Sequence, residues 1–479
     1  MKDFLNKVFK IEENNSTIKT EIIAGLTTFF AMVYIVIVNP NQMTGFTPGM
    51  DAIWNACFIG GLVAAAVATI CMAFIANKPF ALAAGMGLNS FFFVSFILPT
   101  FAQGVAAEDG YAAGLAVILI SGLIFLVLSI TGARKYIATS LPKTLKAAIP
   151  AGIGLFIALL GFKAAGIVVD NQYTFVAFAD FTQWYGLDAN FNAIGACLPI
   201  VALFGFFVIV ICANSSKAFF KGGACILGIL ASTALYYIFS IFTPELKVAT
   251  EMTSIGTMFS DWFKLGFSAF RGFGVAFGTD LLGSVFSVIL LIVTYCLVDM
   301  FDTVGTLYGA SQSVGMVDEN GDPLGVQEEM LCDAIGTVVG AATGTSTITT
   351  FVESSAGIGA GGRTGLSALV TAILFIACIF LGPLTKYVPQ AATSCALIYV
   401  GVLMFKGVTN VNWEDPRAAA TAFVTISLMP LTYSITNGIM LGAMTYVVFT
   451  IFTRKFEKKD IVVSIIALLG LLRFIFVAM

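Results

Sequence analysis

The sequence predicts an all-α polytopic membrane protein of about fourteen crossings, arranged as two inverted repeats of seven spans. Three observations lead there. Of the 479 residues 58% are hydrophobic and 11% charged, and the mean hydropathy of +0.96 is far from that of a soluble domain. Apolar runs of roughly 17–25 residues, the length that crosses a bilayer, recur along nearly the whole chain. Two of these runs, the third and the tenth, are interrupted by polar residues and glycine, and they hold the same place in each half. A repeat with an odd number of crossings must be inverted in the membrane. Interrupted segments at matching positions then mark a midplane ligand site.

In chain order the crossings are expected near 22–40, 52–76, 80–98, 112–131, 145–162, 191–212, 219–242, 281–309, 330–344, 346–362, 366–382, 390–406, 417–432 and 435–453. A further apolar stretch, 461–479, contains Arg473 and is expected to lie at the interface or pack on the bundle rather than span. Orientation follows the placement of Lys and Arg. The N-terminal tail carries Lys2, Lys7, Lys10 and Lys19. Arg134, Lys135, Lys143, Lys146, Lys217, Lys221, Arg454, Lys455, Lys458 and Lys459 follow even numbers of crossings. The loop 164–190 has Asp170, Asp180 and Asp188 with no Lys or Arg, so the N-terminus is placed in the cytoplasm and the protein in the plasma membrane. The polar first twenty residues argue against a cleavable signal peptide.

Several classes are excluded by composition. A net charge of −3 and the lack of a long basic tract argue against nucleic acid as a partner. Nine cysteines, scattered singly with no C-x-x-C pair, read as small core fillers rather than disulfides or metal ligands. The chain has no histidine, so any proton it moves must travel on carboxylates.

The interrupted spans carry the chemistry. The third, 79–98, places Gly85, Gly87 and Asn89 mid-span. The tenth runs from Thr343 through a Thr/Ser-rich strand to Glu353 and then into Ser354-Ser-Ala-Gly-Ile-Gly-Ala-Gly-Gly362. A carboxylate in membrane-buried sequence costs roughly 2.5 kcal/mol or more on insertion scales, so Glu353 is expected to have a task. Broken backbone at that depth is tolerated only where it is buried in protein or lines a cavity. In the eighth span Asp299 and Asp302 are three residues apart and share one helix face. Both cannot stay charged cheaply in a membrane, so one is expected to hold and release a proton. The competing readings are that the span end dips into water, and that Glu353 merely caps its own helix. Asn89 offers a donor and acceptors, or satisfies a turn. Phe91, Phe92 and Phe93 offer rings for stacking, or core contacts.

Two motifs are set aside. Gly357-Ile-Gly-Ala-Gly-Gly362 fits G-x-G-x-x-G but no soluble strand–helix unit surrounds it, so its glycines are expected to permit close helix packing. Asp318-Glu-Asn-Gly-Asp-Pro323 opens like a calcium loop, lacks the rest of the pattern, and reads as a polar turn. Arg363 is expected to mark the return to cytoplasmic water.

Four stretches together resemble a known family: Gly25–Pro40, Ala83–Phe92, Val298–Gly305 and Phe351–Gly365, the last being highly specific. They are similar to the azaguanine-type branch of the nucleobase–cation symporters, the adenine/guanine/hypoxanthine permeases, over essentially the whole chain. The resemblance implies fourteen spans in two inverted repeats and a core domain moving against a gate domain. The core would comprise 1–140 (spans 1–4) and 277–385 (spans 8–11). The gate would comprise 141–276 (spans 5–7) and 386–479 (spans 12–14 and the C-terminal helix). It implies uptake of a purine base with protons as the coupling ion and no other cofactor. Substrate contacts fall on Glu353, Asp299, Asn89, Phe351, Val352 and Ser354, and proton coupling on Asp302, Asp299 and Glu353. Ala84 stands where the family form has proline, which touches only local geometry. Pairing through gate helices into a homodimer is a further expectation. The alternatives are a sulfate/bicarbonate-type anion transporter of related architecture, a sodium-coupled carrier, and a channel or membrane enzyme. The last is disfavoured because no serine–histidine site exists without histidine.

Overall fold

The computed structural model describes residues 2–132, 137, 140–179, 193–243, 246, 252–313, 316, 325–453, 456–457 and 460–476. The basic residues Arg134, Lys135, Arg454, Lys455, Lys458 and Lys459, the acids Asp180 and Asp188, and the turn 318–323 lie outside the described residues.

No water reaches a bilayer interior, so each crossing must satisfy its own backbone, and helices do so. After a short α1 (Lys2–Phe9), the first crossing is α2 (Ile18–Met32) continued by α3 (Ile35–Met43), and the second is α4 (Asp51–Cys71). Strand β1 (Leu82–Ala84), α5 (Met86–Phe92) and α6 (Leu98–Gln103) make the third, and α7 (Ala107–Ile130) the fourth. Next come α8 (Lys143–Ala164), a hairpin of β2 (Val168–Asn171) and β3 (Phe175–Phe178), α9 (Ala193–Ala213), α10 (Ala218–Gly222) and α11 (Ala224–Phe242). Helices α12 (Ile255–Asp261) and α13 (Ala269–Gly278) lead to α14 (Val285–Ser313) and α15 (Val326–Thr343). The tenth crossing is β4 (Ile348–Thr350) with α16 (Ser354–Gly359). It is followed by α17 (Gly365–Cys378), α18 (Gln390–Phe405), α19 (Pro416–Leu431), α20 (Ile435–Thr453) and α21 (Asp460–Phe476).

Among the described residues eleven helical segments are long and apolar enough to cross a membrane. The other three expected crossings are present but depart from that form. Helix α15 carries Glu328, Glu329 and Asp333, α19 has 16 residues, and the tenth crossing is broken.

The helices pack in two groups. Helices α2, α3, α4, α7, α15 and α17 pack together, with α14 on α7 and α16 on α2. Helices α8, α9, α11, α18, α19 and α20 form the other. The segment with α12 and α13 packs on α4 and α7, in the first group. The two broken crossings meet inside that group. Extended backbone there has no helical partner, so β1 and β4 pair antiparallel, with Leu82 opposite Thr350 and Ala84 opposite Ile348. The pairing is prolonged by Gly85 N–H to Thr347 O and Phe351 N–H to Ala81 O, both at 3.0 Å. Glycine makes the approach tight: a Cβ on Gly357 would lie 2.6 Å from the Ala24 carbonyl oxygen and run into the Thr28 hydroxyl. Gly357, Gly361 and Gly362 are thus packing positions, as expected, whereas Gly359 faces open space.

The C-terminal helix packs on the bundle. Helix α21 runs antiparallel along α20 from Tyr446 to Asn437. The Tyr446 hydroxyl donates to Asp460 at 3.2 Å, Gly470 lies against Met440, and Arg473 reaches Asn437. One apolar flank of α21, with Val463, Ile466 and Ala467 buried, lies against the bundle, while Ile461, Ile465, Leu468, Leu471 and Ile475 stay exposed on the other.

Candidate functional site

The crossing of β1 and β4 aims two short helices, α5 and α16, at one locus. It is closed in this structure: Asn89 and Asp299 have no exposed surface, and Glu353 and Asp302 keep 5% and 6%. Neither aspartate lies in a solvated span end.

Glu353 precedes α16 with helical φ and ψ, and its side chain makes no capping hydrogen bond. It points across to the first crossing, where the Tyr34 hydroxyl donates to Oε1 at 2.6 Å. The capping alternative therefore fails. Cys225 of α11 and Tyr399 of α18 lie within electrostatic reach, so the carboxylate faces the seam between the two helix groups. On the other half-helix the Asn89 side-chain oxygen accepts from the Ser346 hydroxyl, and its amide donates to Gln42 Oε1 at 3.5 Å. Asn89 ties α5 to α3 and to the segment leading into β4 rather than satisfying a turn.

The two aspartates of α14 face the crossing. Asp302 Oδ2 lies beside Gly85, where a Cβ would come within 3.3 Å of it. Asp299 Oδ2 accepts from the Thr337 hydroxyl of α15 at 3.1 Å, and that hydroxyl also sits between the carbonyl and N–H of Ile348. A third acid, Asp333 of α15, accepts from Thr303 at 2.7 Å, and Thr303 meets the Thr349 hydroxyl at 3.2 Å. Two of these carboxylates, Asp299 and Asp333, therefore reach the short strand β4 through threonine hydroxyls, and Asp302 lies beside Gly85 at the end of its partner strand.

The remaining candidates divide. Phe351 is buried and donates its N–H to Ala81, and Val352 is half-buried beside Glu353. The Ser354 hydroxyl accepts from Ala81 N–H at 3.0 Å, so it joins the two crossings rather than facing the locus. Phe91 packs on Tyr295 with ring centres 5.0 Å apart, and Phe92 on Phe96 and Tyr111. Arg363 is exposed; its guanidinium donates to the Ile358 and Gly362 carbonyls at 2.7 Å and closes the C-terminal end of α16. Buried Glu21 of α2 accepts from the N–H groups of Arg363 and Thr364.

Sequence reading passed over Tyr34, Gln42, Ser346, Thr337, Asp333 and Glu21. Asp333 and Glu21 carried a signal, a carboxylate inside or at the mouth of an apolar run. Tyr34 and the hydroxyl residues carried none, because such residues are common in apolar helices and their partners lie far along the chain.

Comparison with known proteins places this architecture. A family model, Xan_ur_permease, described as Permease family, matches residues 19–441. The chain belongs to that permease family. The permease is 37% identical over 472 residues to the guanine/hypoxanthine permease PbuO of Bacillus subtilis, covering 96% of this chain and 98% of that one. It is 36% identical over 473 residues to the adenine permease AdeP of Escherichia coli, covering 99% and 96%. It is 33% identical to the putative permease MJ0326 of Methanocaldococcus jannaschii over 99% of both chains. Among solved structures, the transmembrane domain of the cyanobacterial bicarbonate transporter BicA matches with TM-score 0.54 at 16% identity, covering 86% of this chain and 95% of that one. The murine anion transporter Slc26a9 in its inward-facing state matches with TM-score 0.55 at 13% identity, covering 91% and 69%. These likenesses establish the inverted-repeat fold with core and gate domains. The permease is a multi-pass membrane transporter, not an enzyme.

Proposed function

We propose that this permease imports purine nucleobases, guanine or hypoxanthine and/or adenine, together with protons. The base would sit between spans 3, 8 and 10 and be exposed alternately to either side. The observation that carries the reading is Glu353: a buried carboxylate at the head of a half-helix, held by one phenol, at the seam where the gate closes. A carboxylate accepts two adjacent N–H groups of a guanine-like edge in a bidentate fashion. The same charge would repel sulfate or bicarbonate, which disfavours an anion substrate despite the shared fold. The names of the relatives, adenine permease and guanine/hypoxanthine permease, point the same way.

In this reading Asp302 and Asp299 take up the proton. Neutralising a buried acid lowers the cost of carrying the loaded core past the gate, and proton and base affinities become reciprocal. Asn89, Phe351 and Val352 complete the pocket wall, and Ser354 braces it. We assign 1–140 and 277–385 to the moving core and 141–276 and 386–479 to the gate, except that 255–276, through its packing on α4 and α7, travels with the core. The N-terminus is placed in the cytoplasm, the protein in the plasma membrane, and pairing through gate helices gives a homodimer.

The test is uptake of labelled hypoxanthine at two external pH values. Acidifying the outside should speed uptake, a protonophore should stop it, and unlabelled adenine, guanine and xanthine should compete in an order that names the preferred base. Sodium dependence without a pH effect would reassign the coupling ion. Competition by sulfate alone would overturn the substrate class.

A further inference from the structure

Arg473 is a guanidinium in the apolar helix α21, 9% exposed. An arginine in such a helix ordinarily extends its head to the lipid–water boundary. This one turns inward. Its Nη1 donates to Asn437 Oδ1 at 3.4 Å, and its central carbon lies 5.7 Å from the centre of the Phe91 ring. Among the described residues no carboxylate lies within ion-pair distance of it. Packed on the same ring is Tyr295 of α14, fully buried, 5.0 Å from Phe91 between ring centres, its hydroxyl without a hydrogen-bond partner among the described residues. Arg473 also lies within electrostatic reach of that hydroxyl.

These groups come from two bodies. Asn437 and Arg473 ride on α20 and α21, packed side by side in the gate. Phe91 sits two residues beyond Asn89 on the half-helix of the core, and Tyr295 one turn before Asp299. The start of α20 closes the same seam: a Cβ on Gly87 would run into the Ile435 side chain. Among the contacts that join the two bodies, this one is thus a cation on an aromatic face, backed by one amide.

We infer that Arg473 is a positioning residue, a latch by which the C-terminal helix ties the gate to the substrate half-helix in the closed state. A cation–π contact suits that task. It holds the seam shut in a dry environment, yet it breaks without stranding an opposite charge, as an ion pair would. The inference rests on the core and gate division and not on the identity of the substrate.

The test uses the full-length protein in membranes with Ile435→Cys as reporter, labelled by a membrane-impermeant thiol reagent. The unmodified native chain corrects for its nine cysteines. Arg473→Met should raise the labelling rate roughly 5- to 30-fold, the population shift expected for losing one desolvated cation–π contact. Arg473→Lys should restore slow labelling. Phe91→Leu should mimic Arg473→Met, and the double variant should add little to either, because one contact is removed only once. Additive effects of the two, or unchanged labelling in Arg473→Met of normal thermal stability, would overturn the latch. Fast labelling in Arg473→Lys as well would make Arg473 a packing residue of α21 and overturn it too. Should Arg473→Met fail to accumulate, Asn437→Ala with Phe91→Leu carries the same comparison, and strict additivity there counts against the latch.

Discussion

The two broken crossings are alike in backbone and unlike in chemistry. Each has three residues of strand and then a short helix, and the strands answer one another residue for residue, Leu82 with Thr350 and Ala84 with Ile348. The first half-helix carries an amide, Asn89, already engaged by Ser346 and Gln42. The second carries a carboxylate, Glu353, which accepts from the Tyr34 hydroxyl. The backbone symmetry meets the need of two extended segments to hydrogen-bond in a medium without water. The side-chain asymmetry puts a neutral amide on one half and a carboxylate on the other, and in the proposed function that carboxylate is the group that meets the base.

The comparison breaks most directly at Glu353. Glu353→Gln keeps the shape and removes the charge, and it should lower uptake of labelled base at least 100-fold while membrane abundance is unchanged, since a bidentate charged acceptor is lost. Saturable uptake at the native rate would remove Glu353 from the site. The glycines sharpen the contrast next. In Gly357→Ala the new methyl meets the Ala24 backbone oxygen at 2.6 Å and the Thr28 hydroxyl, and backbone cannot move aside, so roughly 1–3 kcal/mol of stability should be lost. In Gly87→Ala the methyl meets the end of a flexible Ile435 side chain, and the melting temperature should fall by less than half as much. Equal losses in the two would mean that α5 and α16 are equally constrained. The smallest effect is expected at the phenol: Tyr34→Phe removes one hydrogen bond to a charged acceptor, worth about 1.5–3 kcal/mol. Much of that is recovered if a bound base or water replaces the phenol, so KM should rise several-fold with kcat nearly kept.

The membrane architecture was readable in advance because hydropathy and glycine act locally. All fourteen expected crossings have a counterpart, and the paired interruptions fall where β1 and β4 cross. Glu353, Asp299, Asp302 and Asn89 stood out as polar residues in apolar sequence, and the fold buries all four at one crossing. Their partners did not stand out. Tyr34 lies 319 positions from Glu353, and Ser346 lies 257 from Asn89, so only the folded chain pairs them. Ser354 shows the converse: adjacency to Glu353 in sequence suggested a ligand contact, yet a helix start turns neighbouring side chains apart, and its hydroxyl faces Ala81.

The order of crossings, their interruption at two matching places and the stranding of acids in oil were written into composition and period, because the bilayer penalises every unpaired polar group wherever it occurs. Which hydroxyl meets which carboxylate, and that Arg473 turns inward to a phenylalanine ring rather than outward to water, were settled by the packing of α21 against α20 and of the two broken crossings against each other. Those contacts depend on three-dimensional distance between residues far apart in the chain, a quantity that no local pattern of hydropathy carries.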